Sequence, residues 1–173
     1  MHKVFQWTLE QMAESAAWLA DRVPREVELG LHICSIWHHD TGAGQDNRVL
    51  VDAANAITSR MTRPMSYIHI PVIPEHVQAD YDVLRDLKLG AGTKLYLGLI
   101  NLADGLEGAR RRIGMASKVV SDFGIGMFCG LGRAPGAAGP SGTLAHAVVP
   151  ALRRATPDTT GQVLDLHRAV AEI

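Results

Sequence analysis

Residues 90–120 read GAGTKLYLGLINLADGLEGARRRIGMASKVV, and this stretch decides the fold. Gly90-Ala91-Gly92 stops the segment before it, and Lys94–Ile100 (KLYLGLI) is an apolar run of strand length. Leu106–Val120 then returns to helical spacing, with Arg110, Arg111 and Arg112 on its exposed side. A strand running straight into a helix is half of a βα crossover, and the flanking sequence repeats the pattern.

Upstream, Ser66–Val72 (SYIHIPV) is a strand stopped by Pro71 and Pro74, and Val77–Leu89 after it is helical. Glu26–Cys34 (EVELGLHIC) alternates as a strand and leads to a helix over Arg48–Met61, with Val51, Ala54 and Ile57 on one face. Thr8–Arg22 opens the chain as an amphipathic helix, with Thr8 as N-cap, Gln11 as its capping-box partner and Pro24 as its stop. Downstream, Phe123–Cys129 (FGIGMFC) is a short fourth strand, and Gly130–Gly142, rich in Gly, Pro and Ala, is a loop. Leu144–Ala155, which Pro150 kinks or divides, and Gly161–Ile173 are helices.

One helix followed by four βα units builds a parallel sheet with helices packed outside it. Four strands are half of an eight-stranded β/α (TIM) barrel, which typically takes about 250 residues. An open four-stranded sheet would leave two bare edges. The expected fold is therefore α/β: a (β/α) half-barrel forming one domain over residues 1–173, completed by another chain such as a second copy.

The 173 residues are 47% hydrophobic and 20% charged with a net charge of -1, which gives no basic excess for nucleic acid. No apolar run approaches the roughly 20 residues of a membrane span, and MHKVFQWTLEQ lacks the core of a signal peptide, so the expected location is cytoplasmic. There, Cys34 and Cys129, the two cysteines, are buried hydrophobes or functional thiols rather than a disulfide.

Strand alternation puts His32 and Cys34 on one face at the end of the first strand. His69 lies near the end of the second, and Cys129 ends the fourth. In a β/α barrel the C-terminal strand ends converge on one mouth, where active sites are built. A mixed imidazole and thiolate set suits Zn2+, and an open fourth position makes such a site catalytic. The competing reading is plain packing, because an H-x-C pair alone is weak and free cysteine is among the most buried residue types.

The motifs also resemble a family. His32-Ile33-Cys34 and Cys129-Gly130 are similar to the zinc-binding H-x-C and the final Cys-Gly of cobalamin-independent methionine synthase, within the superfamily shared with uroporphyrinogen decarboxylase. FQWTLE, ELGLHIC, YIHIPV, LYLGLINLADGLEG and FGIGMFCGLGR resemble uncharacterised methionine-synthase-like relatives, and they are distributed from Phe5 to Arg133. The resemblance is to the C-terminal half of the barrel. It implies a metal set of His32, Cys34 and Cys129, with His69 standing where the synthases place a glutamate ligand. His69 is then a fourth ligand or an acid/base. The synthases' Asp-x-His after the third strand is replaced by Asn101-Leu102-Ala103-Asp104, and Phe128 precedes Cys129 where the closer relatives often have Glu.

Around that centre, Asp104 and His38 are the further acid/base candidates; Asp104 could instead cap the helix that follows it, and His38, His39 and Asp40 could be a solvated loop. Asn101, Arg133 and Trp37 are placed at the substrate, with Arg133 suited to a carboxylate. The implied activity is a zinc-dependent methyl- or alkyl-transferase acting on a small-molecule thiol, with the metal holding the sulfur as a thiolate that attacks the alkyl donor. A decarboxylase or lyase of the uroporphyrinogen decarboxylase type, or a non-catalytic half-barrel supporting a partner chain, are the alternatives. Neither nucleic acid nor membrane is an expected partner.

Overall fold

The computed structural model describes residues 8–33, 47–72, 76–102, 104–127 and 157–173. Its elements are α1 (Leu9–Ala20), β1 (Gly30–His32), α2 (Asn47–Thr58), β2 (Tyr67–Pro71), α3 (Gln78–Asp82) running into a 3-10 turn (Val83–Asp86), β3 (Lys94–Ile100), α4 (Gly105–Ala116), β4 (Gly124–Met127) and α5 (Pro157–Ala171). Among these residues no helix is long and apolar enough to cross a membrane.

The four strands form one sheet in the order β1-β2-β3-β4, and every pairing is parallel. The α/β class and the parallel sheet expected from the alternating periods are what the structure shows. His32, His69, Tyr96 and Gly124 lie side by side in one row of the register. Ile68, Ile70 and Val72 of the β2 segment and Leu95, Leu97 and Leu99 of β3 point to one face. There they bury against Leu50, Val51 and Ala54 of α2 and against Tyr81 and Leu84. The opposite face carries Tyr67, His69 and Tyr96 among glycines. The Tyr67 ring lies over Gly30 and the Tyr96 ring over Gly124, each filling the place of a Cβ. The two rings meet edge to face with centroids 5.8 Å apart.

At the N-terminus the capping box forms as read: Gln11 N donates to Thr8 Oγ1 at 3.2 Å, and Thr8 N to Gln11 Oε1 at 2.9 Å. β1 is shorter than the expected Glu26–Cys34. Val27 N donates back to Pro24 O at 3.0 Å, closing a turn. The guanidinium of Arg63 takes the carbonyls of Val23, Pro24 and Val27, which are thereby unavailable to a ladder. The helix expected over Val77–Leu89 is likewise cut short. Asn55 holds Asp86 O at 2.9 Å through Nδ2 and accepts from Lys88 N at 2.8 Å, a two-pronged clamp that draws the chain out of the helix.

In α4 one expectation is corrected. Arg112 is not on the exposed side: it is 1% exposed, while Arg110 and Arg111 face solvent. α5 starts at Pro157 rather than Gly161, with proline at its first position, where the missing N–H costs no hydrogen bond. It lays Leu166 and Val170 on a second apolar cluster with Ile100 of β3 and Leu106 and Ala109 of α4. The segments expected as a loop over Gly130–Gly142 and a helix over Leu144–Ala155 lie outside the described residues.

Candidate metal centre at the strand ends

β1 and β2 pair with His32 opposite His69, so parallel register alone sets the two imidazoles on one face as lateral neighbours. The rings stack with centroids 4.9 Å apart and planes inclined by 23°. Their Nδ1 atoms are 2.7 Å apart, hydrogen-bond distance. A neutral imidazole carries one N–H and one lone pair, so one ring donates here and the other accepts. Two cationic rings would put N–H against N–H.

Electrostatics favour the neutral forms. Burial, and then the neighbouring His32, press the His69 pKa down to about 4, and a hydrogen bond with the Met127 backbone only partly offsets this. Partial desolvation of its ring, on a residue otherwise exposed, lowers His32 as well. Near neutrality both rings are uncharged, the state in which imidazole ligates a metal.

The position of His69 depends on glycine. Its ring leans away from β2 toward β4, where a Cβ on Gly126 would lie 3.0 Å from Nε2 and 3.3 Å from Cδ2. Gly98 on β3 is paired with Gly126 in the register, directly between the strands that carry ring and floor. An irregularity in the ladder falls between Gly98 and Ile100, at the same end of the sheet. Gly126 was not singled out among the candidate site residues. Its signal was the glycine pair of FGIGMFC, which leaves one face of β4 without side chains.

Cys34 follows His32 by two positions, and Cys129 follows the end of β4 at Met127 by two. Both lie outside the described residues, as do Trp37, His38, His39, Asp40, Phe128 and Arg133. Among the described residues no three His, Cys, Asp or Glu side chains gather as a metal-binding group, and His32 with His69 supply two donors.

Asn101, placed at the substrate, is buried directly after β3 at 6% exposed, and its carbonyl accepts from Gly105 N at 3.0 Å. Asp104 stands at the head of α4, but its carboxylate does not cap the helix. Both oxygens are taken by Arg112, with Nη2–Oδ1 at 2.9 Å, and Arg112 Nε also donates to Leu99 O at 2.7 Å. Arg111 approaches the same carboxylate at 3.5 Å. The Arg112 guanidinium holds the Asp104 carboxyl below its usual range, so it is a poor proton acceptor that ties α4 to the end of β3. Arg112 is thus a second functional neighbour that reading the exposed helix face did not find.

Compared with known proteins, the chain matches no family model, no curated sequence and no solved structure.

Proposed function

We propose that the chain is a zinc-dependent methyl- or alkyl-transferase acting on a thiol. The observation that carries the reading is the His32–His69 pair, two imidazoles in nitrogen contact at the ends of adjacent parallel strands. The donor set fits the metal. His32 is a neutral nitrogen donor two residues from Cys34, and β4 ends two residues before Cys129, so borderline and soft ligands follow directly from the ends of β1 and β4. His32, Cys34 and Cys129 would hold the ion.

A zinc ion bound there supplies the Lewis acidity that lowers the pKa of a thiol held against it. The chain's own residues do the rest. His69, uncharged near neutrality, adds no positive charge beside the sulfur. Tyr67, 40% exposed on the same face of the sheet, and the half-buried Tyr96 form an aromatic wall for an alkyl group. Asp104 is committed to Arg112, which leaves proton removal to His69 or to His38, six positions after His32 in the sequence.

The same reading makes the parallel sheet half of a β/α barrel, with another copy of the chain supplying four more strands. It is supported by β1 and β4, edge strands of the sheet, and by exposed His32 and Tyr67 on the face that a barrel would enclose.

Zinc-edge X-ray absorption tests the activity class. The zinc-loaded protein is expected to show mixed nitrogen and sulfur scatterers, with sulfur at about 2.3 Å, and to gain a further sulfur when a small aliphatic thiol is added. A shell of nitrogen and oxygen alone, unchanged by thiol, refutes the reading.

A further inference from the structure

α5 meets the rest of the molecule through one face. Val163 and Val170 on that face are buried, and Leu166 and Val170 join a cluster with Ile100 of β3, Ile125 of β4 and Leu106, Ala109 and Ile113 of α4. Leu164, off that face, is 57% exposed. His167 stands four positions after Val163 and three before Val170, so helical spacing carries its ring to the edge of the same contact.

There the ring finds no polar partner. Among the described residues its Nε2 is enclosed and makes no hydrogen bond, while the residue as a whole is half-buried. A neutral imidazole meets this by keeping its proton on Nδ1 and turning the lone pair of Nε2 inward. An imidazolium has no such choice. Both of its nitrogens carry N–H, and one of them would be a charged donor set against apolar side chains without an acceptor. Burial accordingly lowers the affinity of His167 for a proton, and burial is the one cause of that shift.

Among the described residues no charged group offsets this cost. α4 turns Leu106, Ala109 and Ile113 toward α5, and the charge nearest them by helical spacing is Arg110, an exposed cation. β3 and β4 present Ile100 and Ile125. On α5 itself Asp165 and Arg168 pair with each other at 3.6 Å in solvent, and Glu172 is exposed.

We propose that α5 is a latch set by the protonation of His167, docked over Ile100 and Ala109 while the imidazole is neutral and released when the ring takes a second proton. The docked ring titrates below the ordinary 6.5, so docking is at full strength above that pH and weakens as pH falls below it. Release uncovers the apolar cluster at the end of β3, beside β4, an edge strand of the sheet. The device stands apart from the metal reading, since it uses neither the strand-end histidines nor the cysteines.

Hydrogen exchange of the full chain at pH 7, 6 and 5, corrected for the intrinsic pH dependence of amide exchange, tests it on the wild type, His167→Leu and His167→Gln. The reading is the protection of the amides of residues 163–171 relative to that of β3. In the wild type this ratio is expected to fall with pH, by at most about 25-fold between pH 7 and 5, the limit for an imidazole that titrates at 6.5 when free. Neither variant can take up a proton at this position, so each should hold its ratio constant. A wild-type ratio that stays constant, because α5 opens only when the whole fold does, overturns the proposal. An equal fall in either folded variant overturns it as well, because the titrating group would then lie elsewhere.

Discussion

Arg112 reaches back along α4 to grip both carboxylate oxygens of Asp104, while its Nε binds the carbonyl of Leu99. Three backbone positions that meet at the mouth of the sheet, the end of β3, the turn after it and the second half of α4, are thus tied through one guanidinium that is 1% exposed.

Breaking a buried pair by removing one partner leaves an uncompensated charge. Asp104→Asn is therefore expected to cost about 3 kcal/mol of stability, at the low end for such pairs because the carboxylate is partly open to solvent. Urea denaturation of wild type and variant checks this. An unchanged midpoint would mean that the pair contributes nothing and that Asp104 is free for chemistry.

The histidine pair predicts a pH dependence of a definite sign. The folded His69 titrates at about 4, below the ordinary value of 6.5 for the unfolded chain, and His32 is displaced in the same direction. The native state therefore binds fewer protons, and stability rises with pH in this window. The contribution is fully present above 6.5 and is lost as pH falls from there through about 4. Asp104, held below 3.8, loses its own contribution only further down. Urea midpoints of metal-free protein at pH 7, 5.5 and 4.5 should fall steadily, and His69→Asn should flatten the slope. A flat wild-type profile over that range would contradict the burial of His69.

The elements that were readable and those that were not differ in where their causes lie. β3 was legible to the residue, Lys94–Ile100, because its stop signal and its apolar run are both local. Alternation alone makes β1 too long, because Val27 N turns back to Pro24 O and Arg63, 36 residues away in sequence, takes the carbonyl of Val27. The segment after β2 was read as one helix because Asn55, 31 residues before Asp86, ends it from another element. Arg112 was misplaced for a different reason. Taking the three arginines as one exposed run overlooks that helical spacing aligns Arg112 with Gly108, Ala109 and Ala116 on the buried face, where it pairs with Asp104. At the site, strand alternation was enough to put His32 and His69 on one face, but their direct contact and the Gly126 floor needed the register between strands.

Arg63 gives the sharpest test of that long-range control. It is 8% exposed, and the three carbonyls it holds have no other partner in the turn except Val27 N on Pro24 O. Arg63→Met keeps much of the volume and removes the donors. Pro24 and Val27 are exposed, so their freed carbonyls can turn to water, and the loss expected is that of charge-assisted hydrogen bonds, about 1–2 kcal/mol. Hydrogen exchange should show the amides of residues 23–29 opening first. Stability within 0.5 kcal/mol of wild type, the range of an ordinary surface change, would remove Arg63 as the cause of the short β1.

Native mass spectrometry of the full chain, purified without chelator and supplied with zinc, tests the central claim most directly, because one spectrum counts both metal ions and chains. A zinc-binding half-barrel completed by a second copy gives a particle of two chains carrying about one zinc per chain, with the zinc lost on Cys34→Ser or Cys129→Ser. A single chain with no metal, or a zinc count indifferent to both cysteines, would contradict it.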